Sequence, residues 1–270
     1  MRSTLLIVAA GSGSRLQAGL HKALVDLGDG RSLLQHCLDS VARAADAAAL
    51  DLAGIVVVVP PDPRAAEPLE QVCRDFAART GLTVQAVPGG AERADSVRAG
   101  LAAVRAGAVA DSTAGPFGRH AVLVHDAARP FVPPAVFRAV TAALEAGAVA
   151  VVPGLPVVDT IKTVSVPGAP GERAAPDIEE GSGLDHEPEW VTGTPSRSTL
   201  RAVQTPQGFD LTALEAAHRA AAGGPALTDD AMVMEAAGHG VAVVPGDPLG
   251  FKVTTPLDLV LARALLQEDR

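Results

Sequence analysis

The chain has 270 residues, 48% of them hydrophobic and 20% charged, enough for one large α/β domain or two small ones and far from the composition of a disordered protein. Its net charge of −9 has the wrong sign for a basic face that wraps nucleic acid. Two cysteines, Cys37 and Cys73, make no disulfide framework and show no zinc spacing, and no apolar run approaches the ~20 residues of a membrane span, so no membrane partner and a cytoplasmic location are expected.

Residues 4–10 form an apolar run that ends in Gly11-Ser12-Gly13-Ser14, the pattern of a buried strand entering a glycine loop, with no cleavage site of the kind that follows a signal peptide. Leu33, Leu34, Cys37, Leu38, Val41, Ala44 and Ala45 recur at helical spacing, which predicts a helix over 32–46. A β-branched run at 55–59 stops at Pro60-Pro61. A helix over 63–79, a strand over 82–87, a Pro88-Gly89-Gly90 turn and a helix over 94–106 follow. Next come a strand at 121–125, a helix over 133–146 whose prolines suit a first turn, and a strand at 148–152. Continuous apolar strands alternating with helices predict an α/β fold, a mostly parallel sheet covered by helices on both faces.

From about 157 to 204 the alternation breaks into prolines, glycines and acids. Between Ser165 and Ser196 there are seven acidic residues and one basic residue, Arg173. This stretch is read as a β-hairpin arm inserted in a single domain over 1–270, with an acidic, mobile tip at about 167–189. Helices over 211–222 and 229–237, a strand at 241–244 and a helix over 256–267 complete the chain.

Ligands of such sheets bind beyond the carboxyl ends of the strands, so the loops there hold the candidate chemistry. Gly11 and Gly13 let backbone N–H groups approach phosphate oxygens, with Arg15 and Lys22 as nearby cations. The loop lacks the GK[ST] of a Walker A motif and the third glycine of a dinucleotide fingerprint. Only three of the 22 basic residues are lysine, namely Lys22, Lys162 and Lys252, and a compact ammonium is not interchangeable with the arginine fork. Gly89-Gly90-Ala91-Glu92-Arg93-Ala94-Asp95-Ser96 reads either as a turn with a helix cap or as a place where Gly90 and Ser96 bind a base edge. Asp126, ending a central strand, is placed to hold Mg²⁺ against phosphates or to cap a turn, with Arg129 available for a second anion. His125, one residue earlier, faces the opposite side of the sheet and reads as structural. The pairings Asp159-Thr160-Ile161-Lys162 and Lys252-Val253-Thr254-Thr255, with Thr205 and Thr228 between them, set hydroxyls beside cations. No GxSxG, HExxH or Cys/His signature is present. Cations, glycine backbone and one carboxylate suit phosphoryl or nucleotidyl transfer, whose rate comes from positioning and charge neutralisation.

These pieces stand in the order found in one family. AAGxGxR with its later lysine, GGxxRxxSVxxGL (89–101), VHDAARPFV (124–132), PVxDTxK (156–162), QTPQxF (204–209), TDDA (228–231) and KxTTPxDL (252–259) resemble the 2-C-methyl-D-erythritol 4-phosphate cytidylyltransferases. The resemblance implies a nucleotidyltransferase-like, Rossmann-type domain, a homodimer joined through its arms, and CTP and a polyol phosphate as partners. By position it implies that Ala9, Ala10, Gly11, Gly90 and Ser96 hold cytidine and that Arg15 and Lys22 stabilise the α-phosphate. It likewise puts Asp126 at a Mg²⁺ ion, and Arg129, Thr160, Thr205, Thr228 and the catalytic Lys252 around the second substrate. Arg197 matches the arginine that the family lends to the other subunit's site. Gly250 departs from the asparagine usual before the lysine motif, and the arm is longer and more acidic than usual. The competing readings are a ribitol 5-phosphate cytidylyltransferase and a non-catalytic nucleotide-binding regulator.

Overall fold

The computed structural model describes residues 1–11, 21–110, 120–165, 189–224 and 227–268. The chain forms two compact units, Met1–Gly154 with Val203–Arg270, and Leu155–Ala202. In the larger unit the expected alternation is present as β1 (Ser3–Val8), α1 (Leu33–Asp46), β2 (Leu52–Val59), α2 (Pro63–Thr80), β3 (Val84–Pro88), α3 (Arg93–Ala110), β4 (Ala121–Asp126), α4 (Pro134–Glu145) and β5 (Ala150–Pro156). Local chemistry sets several of these limits. Ser32 and Gln35 form a reciprocal capping box at the start of α1, and Gly81, at φ 72°, ends α2 in the left-handed region.

The smaller unit holds an antiparallel pair, β6 (Thr163–Val164) and β7 (Val191–Gly193). Ser165 N donates to Trp190 O at 2.7 Å, and Lys162 Nζ donates to Thr194 Oγ1 at 2.8 Å. Arg197 Nη1 donates to Val158 O at 2.8 Å within the same unit. The expected acidic tip lies almost wholly outside the described residues. The chain continues as β8 (Arg201–Val203), β9 (Gln207–Asp210), α5 (Leu211–Ala220), α6 (Asp230–Ala236), β10 (Val241–Pro245) and α7 (Pro256–Glu268).

The main sheet runs β10-β5-β9-β4-β1-β2-β3. Along this run the pairs are parallel except where β9 lies antiparallel between β4 and β5, and β8 also pairs with β5. Alternate residues serve two cores. Leu5, Ile7, Val57 and Leu123 face the layer of α1, α2 and α4, while Leu6, Val58, Val122 and Val124 face that of α3, α5 and α6. Burial on both faces is why the strands read as unbroken apolar runs.

β9 was not expected from the sequence and is a correction to the reading. Its residues, Gln-Gly-Phe-Asp, include two types that strands disfavour and that mark turns, Gly and Asp. The glycine is needed for packing: a Cβ at Gly208 would fall 2.5 Å from Val140 Cγ1 of α4. The same device seats α3, where a Cβ at Gly100 would fall 2.3 Å from Leu6 Cδ1. That close approach seats α3 against Leu6 of β1 and Val58 of β2.

Candidate active site

β1 has β2 on one side and β4 on the other, so connections leave it in opposite directions and open a crevice beyond its carboxyl end. Val8 stands opposite Asp126 in the parallel register, which brings the first glycine loop and the HDAAR segment to one level. A cleft of about 300 Å³ opens there, lined by Ala9, Ala10, Gly11, Lys22, Gly90, Arg93, Ser96, Asp126 and Lys252 among others. Residues more than 200 positions apart in the chain thus meet around one volume. Gly13 and Arg15 lie outside the described residues.

Lys252 Nζ lies 2.8 Å from Asp126 Oδ2, with the two side chains 42% and 16% exposed. The lysine segment is tied in by Val253 N, which donates to Ala128 O at 2.9 Å, and by Asp258, which accepts from Thr254 N and Thr255 N at 2.7 Å. Arg129 Nη1 donates to Gly250 O at 2.6 Å, so the backbone of this unusual glycine serves the cation network directly. Arg129 Nε is buried without a hydrogen-bond partner and stands 3.6 Å from Asp126 Oδ2, too far for a hydrogen bond. Burial works to raise the pKa of Asp126, but Lys252, Arg129 and Arg93 outweigh it and hold the carboxyl below its ordinary value. The site therefore presents an ionised carboxylate at neutral pH.

His125 is fully buried, and burial pulls its pKa down to about 4, so the ring is neutral at pH 7. Its Nδ1 lies 2.7 Å from Thr205 Oγ1, which also accepts from Asp126 N at 3.1 Å. Thr205 is itself buried. It follows that this threonine fixes the end of β4 from below the cleft, and that His125 is the structural residue its strand position suggested.

On the opposite wall, Gly90 N donates to Ser96 Oγ at 3.2 Å. This is the turn contact of the first reading, and Gly90 and Ser96 also line the cleft. Arg93, the first residue of α3, is a cleft residue that sequence reasoning passed over. Its Nη2 lies 2.7 Å from Asp230 Oδ2, and Asp230 Oδ1 lies 2.9 Å from His218 Nε2. Asp230 is fully buried; burial disfavours its charge, but His218 and Arg93 together hold its pKa below the ordinary value. The available signal was a charged residue retained in each of two motifs, GGxxRxxS and TDDA, whose meeting only the fold reveals.

The remaining expected residues stand elsewhere. Thr160 and Arg197 belong to the smaller unit. Thr228 is exposed, with its hydroxyl 3.1 Å from Met232 Sδ. Among the described residues no group of three or more His, Cys, Asp or Glu could cage a metal, and the carboxylates that line the cleft are Glu92 and Asp126.

The family model for 2-C-methyl-D-erythritol 4-phosphate cytidylyltransferase matches residues 3–174 and 183–268. The curated enzyme of that name from Rhodococcus jostii (strain RHA1) is 43% identical over 263 residues, covering 97% of this chain and 94% of the relative. That from Streptomyces avermitilis is 43% identical over 269 residues, covering 100% and 93%. The crystal structure of the Thermus thermophilus cytidylyltransferase superposes with a TM-score of 0.64 at 33% identity, covering 99% of this chain and 100% of that one. The 4-diphosphocytidyl-2C-methyl-D-erythritol synthase of Anaerococcus prevotii gives 0.71 at 27% identity, covering 98% and 96%.

Proposed function

Because this chain belongs to the 2-C-methyl-D-erythritol 4-phosphate cytidylyltransferase family, we propose that the cleft beyond β1 and β4 is where its reaction takes place. The enzyme is a nucleotidyltransferase of isoprenoid synthesis, transferring the cytidylyl group of CTP to 2-C-methyl-D-erythritol 4-phosphate. A phosphate oxygen of the acceptor attacks the α-phosphorus of CTP. The bond from that phosphorus to the oxygen bridging to the β-phosphate breaks, and its electron pair leaves with pyrophosphate. A phosphate monoester whose second pKa is about 6 is mostly dianionic at pH 7 and needs no general base. The protein's task is to position two polyanions and offset their charge.

The observation that carries this reading is the convergence of Lys22, Asp126 and Lys252 on one cleft. In it, the backbones of Ala9, Ala10, Gly11 and Gly90 and the Ser96 hydroxyl hold cytidine. Lys22, with Arg15, offsets the charge that builds on the α-phosphate, and Lys252 exchanges part of its pairing with Asp126 for a phosphate. Gly13 belongs to the phosphate loop. Arg129, whose buried Nε lacks a hydrogen-bond partner, serves the acceptor phosphate together with Thr228, and Thr205 fixes Asp126. Magnesium fits the donor set, since that ion usually takes one or two carboxylates plus substrate phosphates. Asp126 would hold it, and when bound it would supply charge neutralisation on the phosphates.

The arm is proposed as the contact between two copies, supported by its exposed Val158 and Val191, and a dimer by sedimentation velocity is expected. Among the described residues no helix is long and apolar enough to cross a membrane. The deciding experiment measures pyrophosphate release from CTP with Mg²⁺ and either 2-C-methyl-D-erythritol 4-phosphate or ribitol 5-phosphate. Release with the first alone is expected. Release with the second alone would reassign the acceptor, and none with either would return the chain to a nucleotide-binding regulator.

A further inference from the structure

Buried charge is the feature of this domain that its apolar cores do not explain. Asp230 is 0% exposed and lies among α5 and α6, whose other inward side chains include Leu211, Leu214, Val233 and Met234. Replacing such an ion pair by apolar residues is often neutral or stabilising, so its presence calls for a role beyond packing. Both carboxylate oxygens are occupied, one by Arg93 Nη2 at 2.7 Å and the other by His218 Nε2 at 2.9 Å. His218, on α5, is also buried. The arginine at the outer end of this chain is 33% exposed and lines the cleft. A guanidinium has five N–H donors in a rigid fork. Holding one edge of it on a buried carboxylate fixes the orientation of the rest.

We propose that Arg93 is a further binding residue for the polyphosphate of CTP, and that Asp230 and His218 are positioning residues that act through it. The inference rests on the cytidylyltransferase reading. Three observations favour the polyphosphate over the other parts of the two substrates. Arg93 is a fixed cation, which suits phosphate better than a neutral base or sugar. It shares the cleft with Lys22 and Lys252, the other cations there among the described residues. Its charge is also felt at Asp126, which puts it within electrostatic reach of the carboxylate and of any cation travelling with the phosphates. The preorganised fork would otherwise have to be ordered by the ligand at each binding event.

The test uses the full-length enzyme and calorimetric titration with CTP, with CMP and with pyrophosphate, each with Mg²⁺. Arg93→Met is expected to raise the Kd of CTP and of pyrophosphate about tenfold, the scale of one charge-assisted hydrogen bond, and that of CMP less than twofold. Asp230→Asn is expected to weaken CTP about fivefold by itself and less than twofold when added to Arg93→Met. His218→Gln, which keeps an N–H donor, is expected to restore CTP affinity to within twofold of wild type where His218→Leu loses it. Equal weakening of CMP and CTP, a rise confined to the KM of methylerythritol phosphate, or full additivity of Asp230→Asn with Arg93→Met would each overturn the proposal. Turnover of the wild type in the same preparation tests the underlying reading separately, since a failure there leaves nothing to attribute to Arg93. Melting temperatures of the variants separate loss of fold from loss of affinity.

Discussion

Two carboxylates of the same domain hold their charge by different means. Asp126 ends β4, is 16% exposed and faces a lysine whose side chain is 42% exposed. Asp230 opens α6, is 0% exposed, and is held by an arginine on one oxygen and a histidine on the other. The lysine is a single point charge on a flexible stem, and water can replace part of what it gives up on leaving Asp126. Arg93 cannot leave Asp230 without stranding a buried charge. One pair is therefore suited to exchanging partners during a reaction, and the other to holding a cation still.

The sharpest way to break this comparison is to remove each carboxylate and watch stability. Asp230→Ala is expected to lower unfolding stability by about 3 kcal/mol, the lower end for breaking a buried pair because Arg93 still reaches solvent, read by urea denaturation. Asp126→Asn should cost less, about 1 kcal/mol, since its nearest partner, Lys252, is 42% exposed, while pyrophosphate release falls steeply. Equal stability losses would erase the distinction.

Activity sharpens the same contrast. Lys22→Ala is expected to lower kcat ~10²-fold or more while CTP affinity stays within about tenfold, as for charge stabilisation realised mainly in the transition state. Steady-state kinetics beside equilibrium titration checks it, and an unchanged kcat would remove Lys22 from the reaction.

A smaller effect comes from pH. The folded pKa of Asp230 is depressed below the unfolded value of about 3.9. Its charge therefore contributes stability that is present above that value and lost as pH falls through the lower, folded one. Wild-type melting temperature is expected to drop on acidification below pH about 4, and Asp230→Asn to show a shallower drop over the same window. The smallest effect is expected on the surface: Arg74, paired at 2.6 Å with Glu67 and half exposed, should give an Arg74→Ala variant within about 0.5 kcal/mol of wild type.

Much of this architecture was legible from residue order. The β-branched and apolar runs of β1, β2, β4 and β5 are long because both faces of the sheet are covered, and that pattern survives without coordinates. Ser32 and Gln35 announce α1 through capping chemistry confined to four residues. β9 was not legible, because Gln207, Gly208 and Asp210 have no preference for a strand. They adopt one because β4 and β5 leave a slot between them and α4 leaves no room for a side chain at Gly208. The candidate site divides in the same way. Lys22, Asp126 and Lys252 stood out as rare or well-placed charges in motifs, whereas Arg93 and Asp230, 137 residues apart, gave no sign that they belong together.

The sequence by itself determined the fold class, the family and the inventory of cations, glycine backbone and carboxylate available for chemistry, since each of these rests on periodicity or on short motifs. The tertiary structure alone decided which charges share a cleft and which are buried behind it. Electrostatic energy depends on distance and on exclusion of water, and neither quantity is a property of position along the chain.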